Sequence, residues 1–366
     1  MAMEHIHYVY WLSCIKGIGS VKRNRLLAYF GSEEEIYAAS DTQLMEIKGI
    51  SSHDVSSIIS GKDSGRIEEE YGKMLSKGIR FTYKGHNAYP YKLENIYDAP
   101  YSLFYKGRLP DGSRKIVAVA GARNVSYSGS VISCKLGRQL AENGIQVISG
   151  LARGVDVGAQ KGSLSIAGNS TFAVMGCGVD ICYPRQNIEE YMLIQESGGI
   201  ISEYPPGMPP VAGNFPMRNR IISALSDGVL IIEAGEKSGS LITAEFGIEQ
   251  GKDIFVVPGD IGNKLYYGSN KLIKNGAALV TNIEDIMDAL GIFYDCNIES
   301  QKKKVEVVLE TSEKIVYASL SLEPAHVSEI ASRTGFGIQR TMEILIGLEL
   351  KHFVCMAGNN YFAIKI

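Results

Sequence analysis

The chain has 366 residues, 45% of them hydrophobic and 21% charged, with a net charge of −3. That length exceeds one typical domain, and the composition is that of a globular chain able to bury a core. Mild acidity counts against a protein that coats duplex DNA by bulk charge, while leaving room for a local basic site.

The start, MAMEHIHYVYWLSCIKGIG, carries Glu4 and two histidines before a short apolar run. It lacks the basic region of a secretory signal, and no apolar run approaches a membrane span, so neither secretion nor membrane insertion is expected. Cys14, Cys134, Cys177, Cys182, Cys296 and Cys355 are scattered. Only Cys177 and Cys182 are close, and no second pair completes a zinc site or a disulfide framework, so reduced thiols in the cytoplasm are expected.

Residues 1–75 read as short helices with an internal echo, because IKGIGS at Ile15–Ser20 returns as IKGISS at Ile47–Ser52. A hydrophobe–glycine turn between two helices is the signature of a helix-hairpin-helix, or SAM-like, module, whose turn N–H groups can hold a DNA phosphate. Ser51 replaces the second glycine in the second copy, so only the first makes that close approach unaided. A packing or partner-binding role is the alternative. Residues 76–114, with GIRFTY and the aromatic-rich HNAYPYKLENIYDAPYSLFYKG, read as an edge or connecting segment. Their tyrosines are expected to pack.

From Lys115 to about residue 295 short apolar strands alternate with glycine turns and amphipathic helices. IVAVA ends in GAR, IQVIS in GLARG, TFAVM in GCG, VLIIEA in GEKSGS and DIFVVP in GD. This alternation predicts an α/β domain, a Rossmann-like parallel sheet with helices on both faces, with its loops gathered at the carboxyl edge. The run Phe215–Ala244, FPMRNRIISALSDGVLIIEAGEKSGSLITA, joins arginines, a helical stretch, a buried strand and a small-residue loop that opens a helix. Such a loop is a ready anion site, and with Arg123, Arg153 and the RNR run on the same edge it points to a phosphate-bearing ligand. There is no complete GxGxxG with a following acid, no GxxxxGK[ST], no HExxH and no GxSxG.

Residues 296–308, beginning CNIESQKKK, read as a polar tether. Residues 309–366 read as three helices and a hairpin turning at Gly358–Asn360, a winged helix. Its third helix offers only Gln339 and Arg340 before an apolar, acidic run, so protein contact or packing is as plausible as a DNA groove.

The motifs of the middle region resemble those of the DNA-processing protein A family (DprA, also called Smf). They are GLARGVD (Gly150–Asp156), VMGCGVDICYPRQN (Val174–Asn187), SEYPPG (Ser202–Gly207), NFPMRNRIISALS (Asn214–Ser226), EAGEKSGSLITA (Glu233–Ala244) and VPGD (Val257–Asp260), in the expected order. The resemblance implies an extended Rossmann-like domain in a homodimeric recombination mediator without established catalysis, cofactor or metal. Such a protein receives incoming single-stranded DNA during natural transformation of competent cells, shields it and helps load the RecA recombinase; single-stranded DNA-binding protein is a further candidate partner.

Carried onto this chain, the resemblance makes Gly121, Arg123, Gly150, Arg153, Phe215, Arg218, Asn219, Arg220, Ser238, Gly239, Ser240 and Thr243 the nucleic-acid-binding set. Arg123 holds a phosphate through its planar fork. Phe215 offers a face to a base. Arg218 and Arg220 contact phosphate or brace the pocket, one of them pairing internally with Glu233 or Glu203. Asn219 fixes that loop, while Ser238, Gly239 and Ser240 present donors at the next helix. Three departures stand out. Ala122 replaces the serine of the family's GSR. Val211, Ala212 and Gly213 stand where some members place a basic residue, which predicts weaker or more salt-sensitive binding. LELKH also lacks the glycine of LELKG. An alternative is a phosphoribohydrolase-like enzyme using Glu245, whose PGGxGTxxE signature is incomplete in EAGEKSGSLITAE. A third reading, a nucleotide-sensing regulator, rests on fold analogy.

Overall fold

The structure, a computed structural model, describes residues 3–292, 309–351 and 353–365. The expected tether at 296–308 lies outside these residues, as does His352 of the LELKH turn. The chain divides into two compact units: the first runs to Asn124 and continues over Ser133–Leu290, and the second comprises Val125–Ile132 with the chain from Gly291 onward.

The first unit opens with six helices, α1 (His5–Cys14), α2 (Ser20–Phe30), α3 (Glu33–Ala38), α4 (Asp41–Met45), α5 (Ser52–Ser60) and α6 (Ser64–Ser76). The two echoed hexapeptides form the turns between α1 and α2 and between α4 and α5. Gly17 and Gly49 take φ of 82° and 90° there, a region that glycine enters without a Cβ penalty. Arg23 on α2 donates to the Leu12 and Ser13 carbonyls at the end of α1. That contact satisfies acceptors that the helix itself leaves open.

Next come β1 (Arg80–Tyr83), α7 (Tyr91–Glu94), β2 (Ser102–Gly107), β3 (Ile116–Gly121), α8 (Tyr127–Glu142), β4 (Gln146–Ser149), α9 (Val155–Leu164) and β5 (Thr171–Val174). They are followed by α10 (Ile188–Ser197), β6 (Gly199–Ser202), α11 (Asn214–Leu225), β7 (Gly228–Ile232), α12 (Ser240–Glu249), β8 (Asp253–Val256), α13 (Tyr267–Lys274), β9 (Ala278–Leu279) and α14 (Ile283–Ala289). One nine-stranded sheet results, ordered β1-β2-β6-β5-β4-β3-β7-β8-β9. From β6 to β9 every neighbouring pair is parallel, whereas β2 runs antiparallel to both β1 and β6. The segment 76–114 is therefore more than a connection: it builds the antiparallel edge of the sheet.

Strand residues alternate between two cores, as the pleat requires. Phe172, Val174 and Ile201 join one face with Ile221 and Leu225 of α11 and Ala244 of α12. Phe104, Ala173 and Ile200 join the other, in a single cluster with Val9, Leu12, Ile36 and Ile58 of the amino-terminal helices. That module thus shares its core with the sheet. Burial on both faces is why β3 and β7 read as uninterrupted apolar runs.

In the second unit, α15 (Thr311–Ala318), β10 (Ala325–His326), α16 (Val327–Thr334), α17 (Ile338–Leu350), β11 (Val354–Gly358) and β12 (Tyr361–Ile364) enclose a core that includes Val316, Ile330, Leu345, Leu348 and Phe362. Its antiparallel sheet is ordered β10-β12-β11. The expected hairpin turn is present, with Asn360 at φ 63°. Arg340 pairs with Glu343 on its own helix at 3.0 Å. No helix among the described residues is long and apolar enough to cross a membrane.

Candidate functional site

Strand order locates the site. From β3 the chain steps outward through β4, β5 and β6, then returns by α11 to β7 on the other side of β3 and continues to β8 and β9. The order reverses between β3 and β7. At such a switch point the loops leave in opposite directions and a crevice opens beyond the strand ends.

A cleft of about 440 Å³ lies there. Gly121 and Arg123 line it from the end of β3, Ser149 and Ala152 from β4, Ser238, Gly239, Ser240 and Thr243 from the start of α12, and Phe215, Arg218 and Asn219 from α11. A smaller cavity of about 70 Å³ is lined by Arg123, Gly150, Arg153, Tyr183, Phe215 and Arg218. Eleven of the twelve residues singled out in the sequence thus line one of two cavities that share Arg123, Phe215 and Arg218.

Arg220 is the exception. The helix starts at Asn214, earlier than IISALS alone suggests, because Pro216 sits in the first turn, where a missing N–H costs nothing. At 100° per residue, Phe215, Arg218, Asn219 and Ile222 then share a face, and Arg220 points to the opposite side. It is 2% exposed and pairs with Asp98 at 2.7 Å and Glu203 at 2.6 Å. Its place in the binding set is corrected: it braces the fold from behind. The internal partner foreseen in Glu203 is the one it takes, together with Asp98.

Arg218 is also buried, at 4% exposure, but beneath the cleft. Its Nη1 donates to the carbonyls of Gly150 and Val174, at the ends of β4 and β5, and its Nε donates to Asn219 Oδ1 at 3.2 Å. Burial lowers its pKa to about 10, with the nearby Asp156 opposing that shift, so it stays charged at neutral pH. Burial likewise raises Asp156, against the pull of Arg218 and the N–H groups of Ala152 and Gly150. A Cβ on residue 150 would stand 2.5 Å from the guanidinium, so only glycine lets the β4 loop close over it.

The upper layer is open. Arg123 and Arg153 are exposed, and among the described residues neither has an ion-pair partner. Arg123 is close enough to oppose the charge on Arg218. The capping position of α12 is Gly239, which has no side chain to cap it; Ser238 Oγ accepts from Ser240 N–H at 3.4 Å, the Ser238 and Ser240 hydroxyls lie 2.7 Å apart, and Asn219 Nδ2 reaches Gly239 O at 3.5 Å. Phe215 is half-buried, with the Arg218 guanidinium 5.9 Å from its centroid. Two non-glycine residues at this rim, Leu151 and Glu233, hold φ of 54°, a costly region for side-chain-bearing residues. The Glu233 carbonyl accepts from Ala122 N–H at 2.8 Å and so ties the end of β7 to that of β3.

Tyr183 was not anticipated as a site residue. Its ring lies 5.3 Å from that of Phe215. The only sequence signal was its place in the CYPRQN run, which says nothing of a residue 32 positions later.

Chemically the cleft offers two guanidinium groups unpaired among the described residues, a buried third, a helix terminus without a charged cap and an aromatic surface. That combination suits anionic groups spaced along a chain that also carries flat rings.

A family model described as DNA recombination-mediator protein A matches residues 80–291. The chain is 35% identical over 295 residues to Protein Smf of Synechocystis, covering 79% of this chain and 74% of that one. It is 40% identical over 225 residues to the DNA processing protein DprA of Streptococcus pneumoniae, covering 62% and 77%. The X-ray structure of the pneumococcal protein matches with a TM-score of 0.68 at 33% identity, over 79% of this chain and 98% of that one. DNA processing protein A of Helicobacter pylori, solved for its single-stranded DNA binding mode, matches with a TM-score of 0.51 at 31% identity, over 58% and 95%. On the family match, the identities and the shared fold, the chain belongs to the DNA-processing protein A (DprA/Smf) family of recombination mediators.

Proposed function

We propose that the switch-point cleft binds single-stranded DNA and that the chain serves as a cytoplasmic recombination mediator during natural transformation, acting by binding and not by catalysis. The observation that carries this reading is the pairing of Arg123 and Arg153, without ion-pair partners among the described residues, with an aromatic surface beside the start of α12, which carries no charged cap. Arg123 and Arg153 take phosphates, the aromatic surface to which Phe215 belongs takes a base, the Ser238–Ser240 turn donates hydrogen bonds, and Arg218 supports the cleft from below with its charge. The single-stranded DNA binding mode of the Helicobacter relative supports the same ligand class. In this reading the protein works as a homodimer, shields incoming strands, helps load RecA and meets single-stranded DNA-binding protein on the same strands, while the carboxy-terminal winged helix is an accessory module. Glu245, the acid an enzyme of the phosphoribohydrolase type would use, is exposed on α12 and does not line the cleft, so no observation favours that alternative.

The test is binding to a labelled single strand, to duplex of equal length and to mononucleotides, at two salt concentrations, for the wild type and Arg123→Ala. The expected result is preference for the single strand, a salt slope reflecting several phosphates, and about tenfold weaker binding by the variant. Tight mononucleotide binding with release of the base overturns the proposal.

A further inference from the structure

The aromatic surface of the cleft has two rings. Phe215 is backed on one side: a Cβ on Gly176 would come within 2.8 Å of its ring carbons, so that backbone lies directly against it, and Arg218 sits over the ring at 5.9 Å. Tyr183 lies 5.3 Å away, tilted by 36°, and is 44% exposed. Rings this close are already in contact, so no base fits between them. Of the two rings, Tyr183 is the exposed one.

The loop carrying Tyr183 is held firmly. Ser202 Oγ donates to the Cys177 carbonyl at 2.7 Å, Gly178 N–H to the Met208 carbonyl at 2.9 Å, and the Tyr191 hydroxyl to the Val179 carbonyl. Asn187 Nδ2 donates to the Leu151 carbonyl at 2.9 Å, which ties this loop to the one bearing Arg153. A ring on a fixed loop loses little freedom when a ligand stacks on it.

We propose that Tyr183 is a base platform, the outer face of a stack whose inner members are Phe215 and Arg218, with the phosphates flanking that base held by Arg123 and Arg153. The inference rests on the single-strand reading of the cleft and deepens it. The recognised unit becomes a base together with phosphates on both sides, so the ligand is an oligonucleotide and not a nucleotide. Ring stacking tolerates any base.

The experiment compares wild type, Tyr183→Ala, Tyr183→Phe and Arg123→Ala on two labelled probes, an oligothymidylate and a strand of equal length whose sugars carry no bases. Tyr183→Ala is expected to bind oligothymidylate roughly five- to a hundred-fold more weakly, the range of one base–aromatic stack. On the baseless strand it is expected to match the wild type, and Tyr183→Phe is expected to match the wild type on both. Wild-type affinity of Tyr183→Ala for oligothymidylate, or an equal loss on both probes, overturns the inference. If Arg123→Ala still loses affinity in that case, the single-strand reading survives; if Arg123→Ala also binds both probes like the wild type, that reading fails as well.

Discussion

The second hairpin of the amino-terminal module and the switch-point rim are built from the same local device, a small-residue turn leading into a helix, yet they end in opposite states. At the hairpin, Asp54 folds back onto the start of α5, accepting from Ser51 N–H at 2.8 Å, and Lys22 of α2 reaches the same carboxylate at 2.7 Å. The anion seat is filled by the chain's own carboxylate and the nearest cation is spent on it. At the rim, Gly239 gives α12 no cap of its own, only the neutral Ser238 Oγ accepts there, from Ser240 N–H at 3.4 Å, and Arg123 and Arg153 stand unpaired among the described residues. A glycine turn before a helix therefore does not define an anion site; what matters is whether a charged side chain of the same chain has already occupied it.

Three substitutions bear on this contrast. The largest effect is expected for Arg220→Ala, which strips Asp98 and Glu203 of a nearly buried partner and should cost about 3–5 kcal/mol in chemical denaturation. The folded protein should keep its affinity for single strands, and a selective loss of binding without loss of stability would return Arg220 to the cleft.

Next is the hairpin carboxylate. Burial alone pushes the pKa of Asp54 up, but hydrogen bonds from Lys22 and Ser51 outweigh it and hold the group at about 2. A carboxyl whose folded pKa is depressed stabilises the fold above its unfolded pKa near 4, and that contribution fades as pH falls from about 4 towards 2. Asp54→Ala should cost about 1–2 kcal/mol at pH 6, as loss of a helix cap does, and the difference from wild type should shrink at pH 3 in urea titrations. A difference that does not change with pH would mean that the carboxylate is not the cap.

The smallest effect on the fold is expected at the rim. Arg153→Ala should change stability by less than about 0.5 kcal/mol. Its salt slope for single-strand binding should flatten by about 0.7, the share of one phosphate contact. An unchanged slope would remove Arg153 from the proposed interface.

Much of the middle region was legible in the sequence because strands buried on both faces leave largely apolar runs: Ile116–Ala120, Ile145–Ser149 and Val229–Ala234 fall on β3, β4 and β7. Strands β1, β2, β6 and β9 lack a clear apolar run of their own, as in RFTY, SLFYKG and GIIS, and their pairing depends on distant segments, so local pattern did not separate them from loops. Within the site, residue types were legible but directions were not. Arg218 and Arg220 look equivalent in RNR until the helix is seen to begin at Asn214, after which helical spacing sends them to opposite sides. Tyr183 stayed hidden for a different reason, since its neighbour Phe215 reaches it only through the tertiary fold.

The continuity of Val9, Leu12 and Ile58 with Phe104, Ala173 and Ile200 has a practical corollary. Residues 80–291, which the family match outlines, look like a self-sufficient fragment on paper. Severed at residue 80, that fragment would meet water with a greasy underside, and such surfaces drive molecules to stick to one another. The amino-terminal helices are best regarded as the floor of the sheet, and a shortened version that stays monodisperse would have to repaint that floor with polar side chains.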